Sequence, residues 1–412
     1  MVMYSGLIKA IDEELEALKA EGRLKGEEKV IVGIKSPDGE HGPRIVLDNG
    51  KELINFASNS YLGLSGDPRL IQAEHENSLK YGVGPGAVRF ISGTQEPHVK
   101  LEQRLAGFFR KEAAMIFSSA YAANCGIIAP LITPDTFIIS DELNHNSIIN
   151  AIRLSGITRE RKKIFPHCDM GGLEECIKEA LGKAKRVIIV SDGVFSMRGD
   201  YAPLDKILEL SRNYNDSFEE GIITIVDDSH GIGAFGETGR GVVEICNAWD
   251  VDVITGTLGK ALGVDGGFVV ADKRLVDYFR EKSPFYVYSN PISAGIAGAS
   301  IVALDILDSP EGIELLKRLG ENTEYFRKRL GEIGLKTIDG IHPIVPVIIG
   351  DPIKAKMLAE KLFERGIYVV ALTFPVVPRG QDTIRVQISA SHTKKDLDFA
   401  IESFRNASRE LK

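Results

Sequence analysis

Apolar positions along the chain change period from one segment to the next. Near the start, Leu7, Ile8, Ile11, Leu15, Leu18 and Leu24 fall close to one face and predict a helix over Leu7–Leu24. Its partner is expected to be another part of the molecule or a second subunit. Arg44–Phe56 reads as short strands around the turn Asp48-Asn49-Gly50. From about Tyr61 to Asn290, short apolar runs alternate with helical stretches: Ala114–Ser118, Phe137–Ser140, Val187–Ser191, Ile222–Asp227, Val253–Gly256 and Gly267–Ala271. Unbroken apolar runs of this length suit strands buried on both faces. The expected fold is therefore α/β, a mainly parallel sheet covered by helices. After Asn290 a long helical stretch (Ala294–Leu307, then Ile313–Ile333) leads into a smaller α/β unit. Its strands are expected at Ile344–Ile349, Tyr368–Val370 and Thr383–Ser389, and its helices at Lys354–Arg365 and Lys394–Asn406. Three parts follow: residues 1–60 with the helix and short strands, a large ligand-binding domain over 61–290, and a small C-terminal domain over 291–412.

Composition narrows the class. At 412 residues and 43% hydrophobic, the chain can bury a sizeable core. A net charge of −8 argues against nucleic acid or an anionic membrane as partner. No apolar run is long enough to span a bilayer, and the amphipathic start does not read as a signal peptide. Cys125, Cys168, Cys176 and Cys246 have no paired-ligand spacing, which fits free thiols in a reducing cytoplasm.

Ligands of open α/β sheets bind beyond the carboxyl ends of the strands. Two runs there carry chemistry: Ile225-Val226-Asp227-Asp228-Ser229-His230-Gly231 and Thr255-Gly256-Thr257-Leu258-Gly259-Lys260-Ala261-Leu262-Gly263. A lysine among glycines at a strand end can receive a carbonyl carbon as a Schiff base. A pyridoxal-phosphate (PLP) ring withdraws electrons only while its pyridine nitrogen stays protonated, which asks for a buried carboxylate beside it. Asp227 has that position, and His230 can donate to the phenolic oxygen. Each run alone has a plain reading, a solvated lysine and a strand-end cap or metal ligand; their order on adjacent strands favours PLP. No metal is expected. Ser118-Ser119-Ala120-Tyr121 closes a strand and opens a helix, whose free amides can bind a phosphate, and Thr257 can add a hydroxyl. Alone, that is an ordinary cap. His145, at another helix start, can stack on a flat ring or simply hydrogen-bond there. Neither a dinucleotide fingerprint nor a P-loop frame is present.

At these residues the sequence resembles the α-oxoamine synthase family of fold-type I PLP enzymes. The likeness runs from about Asn55 to His392. It includes Asn59-Ser60-Tyr61-Leu62-Gly63-Leu64, Val88-Arg89-Phe90-Ile91-Ser92-Gly93-Thr94-Gln95, Asp192-Gly193-Val194-Phe195-Ser196-Met197, both strand-end runs above, and Pro375-Val376-Val377-Pro378 through Arg385. The resemblance implies a fold-type I transferase with a seven-stranded sheet in the large domain. It implies that Lys260 holds PLP and moves the Cα proton, and that Asp227 pairs with the pyridine nitrogen. His230 then contacts the phenolic oxygen and His145 stacks on the ring. Ser119, Ala120, Tyr121 and Thr257 hold the phosphate. Asn59 and Arg385 hold the amino-acid carboxylate, and Ser196 lies near ring and acyl group. It also implies a homodimer in which Ser289 or Asn290 reaches a neighbouring subunit's phosphate. The implied reaction joins an amino acid to an acyl-CoA with release of CoA. Three motifs are most like glycine C-acetyltransferase and favour glycine and acetyl-CoA, giving 2-amino-3-ketobutyrate. An 8-amino-7-oxononanoate synthase, or a promiscuous synthase using alanine or serine, stays open. So does another PLP reaction, transamination or aldol cleavage.

Overall fold

The computed structural model describes residues 4–21, 23–24, 28–374 and 376–411. Pro375 of the motif above lies outside them, as does Gly22 of the expected first helix. That helix spans Ser5–Ala20, ends short of Leu24, and has no buried residue. Among the described residues nothing buries its apolar face.

The N-terminal strands are β1 (Ile31–Lys35), β2 (Arg44–Leu47) and β3 (Glu52–Asn55). The large sheet follows with β4 (Ala113–Phe117), β5 (Thr136–Asp141), β6 (Lys162–Phe165), β7 (Arg186–Asp192), β8 (Ile222–Asp227), β9 (Val253–Thr257) and β10 (Gly267–Ala271). Its seven strands run in the order β4-β10-β9-β8-β7-β5-β6. Strand β10 is antiparallel to both neighbours, and the other pairings are parallel. All the expected apolar runs are strands. β6, Lys162-Lys163-Ile164-Phe165, went unforeseen because it is an edge strand with only Phe165 buried.

Alternate residues of a strand point to opposite faces, and both faces here are covered. Val187, Ile189, Val226 and Ile254 join a core with Leu101 and Leu105 of helix Glu96–Phe108 and Leu173 and Ile177 of helix Met170–Ala180. Ile188, Val190, Ile225 and Val253 face Ile127 and Ile128 of helix Ala120–Leu131 and Ile148 and Ile152 of helix Asn146–Leu154. Burying such a side chain contributes roughly 1.5–3 kcal/mol. This two-sided burial is why the strands read as unbroken apolar runs.

The C-terminal part adds β11 (Ile344–Ile348), β12 (Ile367–Tyr368), β13 (Val370–Leu372) and β14 (Thr383–Gln387). The single strand expected at Tyr368–Val370 is two. β12 pairs with β3, and β13 pairs with β14 in a separate sheet. The chain changes sheet at Val369, and the N-terminal strands are thereby joined to the C-terminal unit. No helix among the described residues is long and apolar enough to cross a membrane.

One loop fixes the mouth of the large sheet. The Asp228 carboxyl is buried, and an added Cβ would lie 2.4 Å from it at Gly193, 2.0 Å at Gly231 and 1.8 Å at Gly241. Gly241 also has φ 78° and ψ −152°, a conformation open to little but glycine. Gly241→Ala is expected to destabilise the protein by about 3 kcal/mol or more, through strain and a clash with a buried carboxyl. A thermal unfolding midpoint unchanged from the parent protein would refute this.

Candidate active site

A cavity of about 250 Å³ opens at the carboxyl ends of β7, β8 and β9, lined by Ser119, Ala120, Tyr121, His145, Asp192, Ser196, Asp227, Ser229, His230, Thr257 and Lys260 among others. The sheet order explains the meeting. β8 and β9 are parallel neighbours, so the turns after Asp227 and Thr257 leave the sheet on the same side.

Ser119 is the N-cap of helix Ala120–Leu131, and its Oγ accepts from the Ala122 N–H at 3.0 Å. The helix's first amides are left free at the cavity. A Cβ at Gly267 would lie 2.2 Å from the Ala120 nitrogen, so the backbone of β10 presses against this cup from behind. Thr257 Oγ1 accepts from the Gly259 N–H at 3.0 Å and donates to Gly266 O at 3.1 Å, which shapes the lysine loop.

Asp227 is buried and held on both oxygens. Asn124 Nδ2 donates to Oδ2 at 2.5 Å, and the Ser229 N–H donates to Oδ1 at 3.0 Å. Asn124 also donates to Ser147 Oγ at 2.9 Å and accepts from Thr255 Oγ1 at 2.8 Å. At His145, Nδ1 accepts from the Ser147 N–H at 3.2 Å and lies 2.7 Å from Ser147 Oγ. Burial lowers this imidazole's pKa, so it is neutral at pH 7, and the donor at Nδ1 places its proton on Nε2. Burial drives His230 well below its ordinary value, and the nearby Lys260 charge adds to this. Its Nδ1 meets Tyr61 Oη at 2.8 Å, and its backbone carbonyl accepts from His342 Nε2 at 2.8 Å.

Lys260 is half-buried in the loop after β9. Burial lowers its pKa to about 8, against the opposing pull of Asp227 and Asp192. The neutral, nucleophilic amine is therefore about a tenth of the population at pH 7, far more than for an unshifted lysine. Covalent uptake of PLP by the cofactor-free protein is expected to rise roughly tenfold per pH unit and to level off above about pH 8. A rate still climbing at about pH 10, where an unshifted lysine titrates, would contradict this.

Asn59 and Arg385 come together at the far side of Tyr61. Arg385 Nη2 donates to Asn59 Oδ1 at 3.3 Å, and Tyr61 Oη lies 3.3 Å from the same oxygen. With the Gln387 amide turned to donate to Phe56 O, its oxygen accepts from Arg385 Nη1 at 2.7 Å. Arg385 Nε is buried with no hydrogen-bond partner, and no carboxylate pairs with this guanidinium among the described residues. It is suited to an anion brought by a substrate. Ser289 does not line the cavity of its own chain; it lies in the loop between helices Pro284–Val287 and Ala294–Leu307.

Sequence reasoning missed Asn124, Tyr61, Asp192, Ser147 and His342. Asn124 lies one helical turn beyond Ala120 and so faces the same way, a periodicity signal that was available. Asp192 ends β7 beside Asp227 of β8, which only the strand order reveals.

Ser196 also lines a second cavity of about 690 Å³, walled by Leu143, Phe195, Met197, Ile338, Ile348 and Val377 together with polar residues such as Glu142, His167 and Arg198. Asp141, His167 and Cys168 bring donor atoms within 4.8 Å of one another beside it. Cys168 Sγ, however, is nearly equidistant from the two ring nitrogens, at 3.7 and 3.8 Å, away from either lone-pair direction. Burial works against the His167 charge, but the Asp141 and Asp200 carboxylates outweigh it and hold the imidazolium up to about 11. The group is an ion-paired clamp on the Ser196 loop.

The residues at the first cavity fit PLP: free helix amides for a phosphate, an anchored carboxylate for a ring nitrogen, a lysine whose pKa is brought down to about 8, and a buried Ser229 hydroxyl with no partner among the described residues. Residues 51–404 match the family model of class I and II aminotransferases. The chain is 42% identical to 8-amino-7-oxononanoate synthase of Symbiobacterium thermophilum, with 97% of each chain covered. It is 40% identical to 2-amino-3-ketobutyrate coenzyme A ligase of Salmonella typhimurium, with 99% of each covered. Among solved structures it resembles a lysine-to-alanine variant of serine palmitoyltransferase from S. paucimobilis with a bound PLP–myriocin aldimine. That likeness has TM-score 0.87 and 27% identity, over 99% of this chain and 98% of that one. With the strand-end lysine and aspartate meeting in one cavity, this chain belongs to the α-oxoamine synthase family of fold-type I PLP enzymes, acyltransferases of the amino-acid and acyl-CoA type.

Proposed function

We propose that this chain condenses a small amino acid with an acyl-CoA longer than acetyl, in a reaction of the 8-amino-7-oxononanoate synthase kind. The second cavity supports this most directly. It holds about 690 Å³ and meets the lysine cavity at Ser196. Its lining includes Leu143, Phe195, Met197, Ile338, Ile348 and Val377, apolar surface against which an acyl chain can be buried. The expectation of glycine and acetyl-CoA rested on three motifs, and relatives of both kinds match the chain equally well.

Bound PLP supplies an electron sink for the negative charge that develops at the substrate's Cα. The chain's residues do the rest. Asp227, fixed by Asn124 and Ser229, keeps a proton on the ring nitrogen. Lys260 holds the cofactor and carries the Cα proton. His230, kept neutral and oriented by Tyr61, would face the phenolic oxygen, and His145 would stack on the ring. Arg385 and Asn59 fix the amino-acid carboxylate, so that the bond to be broken at Cα is oriented before reaction. Ser196 sits where the acyl group arrives. This reading includes a homodimer, with Ser289 or Asn290 reaching the phosphate cup of a second copy.

An initial-rate panel tests it. Glycine, alanine and serine are crossed with acetyl-CoA, a seven-carbon ω-carboxyacyl-CoA and palmitoyl-CoA, and CoA release is followed. The longer acyl groups are expected to exceed acetyl-CoA in kcat/KM by about tenfold or more. Preference for glycine with acetyl-CoA by a similar factor would restore the 2-amino-3-ketobutyrate reading. Amino-group transfer to a keto acid that outpaces CoA release would instead favour an aminotransferase.

A further inference from the structure

Strands β7 and β8 are parallel neighbours, and their last residues, Asp192 and Asp227, are register partners. Both carboxyls are buried, and both line the lysine cavity. Two carboxyls side by side in a water-poor pocket do not both ionise, and their surroundings decide which keeps a proton. The surroundings differ. Asp227 receives a donor on each oxygen, from Asn124 and Ser229. Asp192 receives one, the His145 N–H on Oδ2 at 2.9 Å. Its Oδ1 has no hydrogen-bond partner among the described residues. Hydrogen bonds to an anion favour the anion, so the pair is biased toward ionised Asp227.

We propose that Asp192 and Asp227 form a one-proton pair in which Asp192 is the neutral acid, presenting its O–H to the cofactor and substrate cavity, while Asp227 remains the anion. The charged groups that face Asp192 are Asp227, Asp141 and Lys260. Burial and the Asp227 charge raise Asp192 well above its ordinary value, and Lys260 offsets only part of this. The arrangement serves the reaction in two ways. It keeps a second negative charge away from the path of the substrate carboxylate, and it supplies a hydrogen-bond donor to an acceptor oxygen in the pocket. Asp192 is thus a positioning residue for a charge that Asp227 carries.

The pair's role rests on PLP filling this cavity, and infrared spectroscopy separates the two questions. In the PLP-loaded enzyme near neutral pH, a protonated-carboxyl C=O stretch that moves on ¹³C-aspartate labelling is expected. Asp192→Asn should remove it. Asp228→Asn should not, although burial raises Asp228 to about 7 and gives it a band of its own. In Asp227→Asn, where the neighbouring charge is gone, the Asp192 band should titrate at least about one pH unit lower. Should Asp192→Asn fail to fold, that shift still decides the matter. Absence of any band lost in Asp192→Asn, or a titration unmoved in Asp227→Asn, overturns the pair. A chain that takes up no PLP at all defeats the cofactor reading instead, while the same two variants still decide the pair.

Discussion

Lys260→Ala is expected to lower kcat/KM by roughly 10⁴-fold or more while leaving the fold intact. The lysine occupies a half-buried loop position and makes no hydrogen bond that the fold depends on, so its removal should cost little stability. What is lost is the only amine among the described residues lining the cavity, and with it the group proposed both to hold the cofactor covalently and to move the Cα proton. PLP should still enter, held by the helix cup and Asp227, but borohydride should leave no label on the chain. Retention of more than about a tenth of parent activity, or a label elsewhere, would remove Lys260 from its role.

Asp227→Asn is expected to cost about 10³-fold in kcat/KM. The change is nearly isosteric, so the effect isolates charge. The introduced amide would offer no anion to the ring nitrogen, and one of its hydrogens would confront the Asn124 Nδ2 donor that now lies 2.5 Å from Oδ2. Charge loss and a frustrated donor act in the same direction. Spectra should still show cofactor bound to Lys260, with the loss concentrated in kcat. A variant with parent kcat would mean that Asp227 does not face the ring nitrogen.

How far the sequence foretold this site depends on what each residue does locally. Asp227 and Lys260 were legible because strands buried on both faces write unbroken apolar runs, and the one ends such a strand while the other follows the next within three residues. β6 was not legible, because an edge strand with two lysines carries little apolar signal. Asn124 was within reach of helical periodicity, one turn beyond Ala120, but that its amide meets Asp227 shows only once the sheet beneath the helix is placed. Asp192 stood inside a recognised motif, but its pairing with Asp227 depends on β7 and β8 being neighbours, which no local pattern states. The split of β12 from β13 at Val369 likewise has no composition mark, since both pieces are short and apolar.

The β3–β12 pairing has a mechanical consequence. Asn59 follows β3, Arg385 lies in β14, and the Gln387 N–H donates to Phe56 O at 2.8 Å. The two groups proposed to grip the amino acid's carboxylate therefore ride on one jaw, built from distant parts of the chain, while the lysine and its aspartate belong to the anvil opposite.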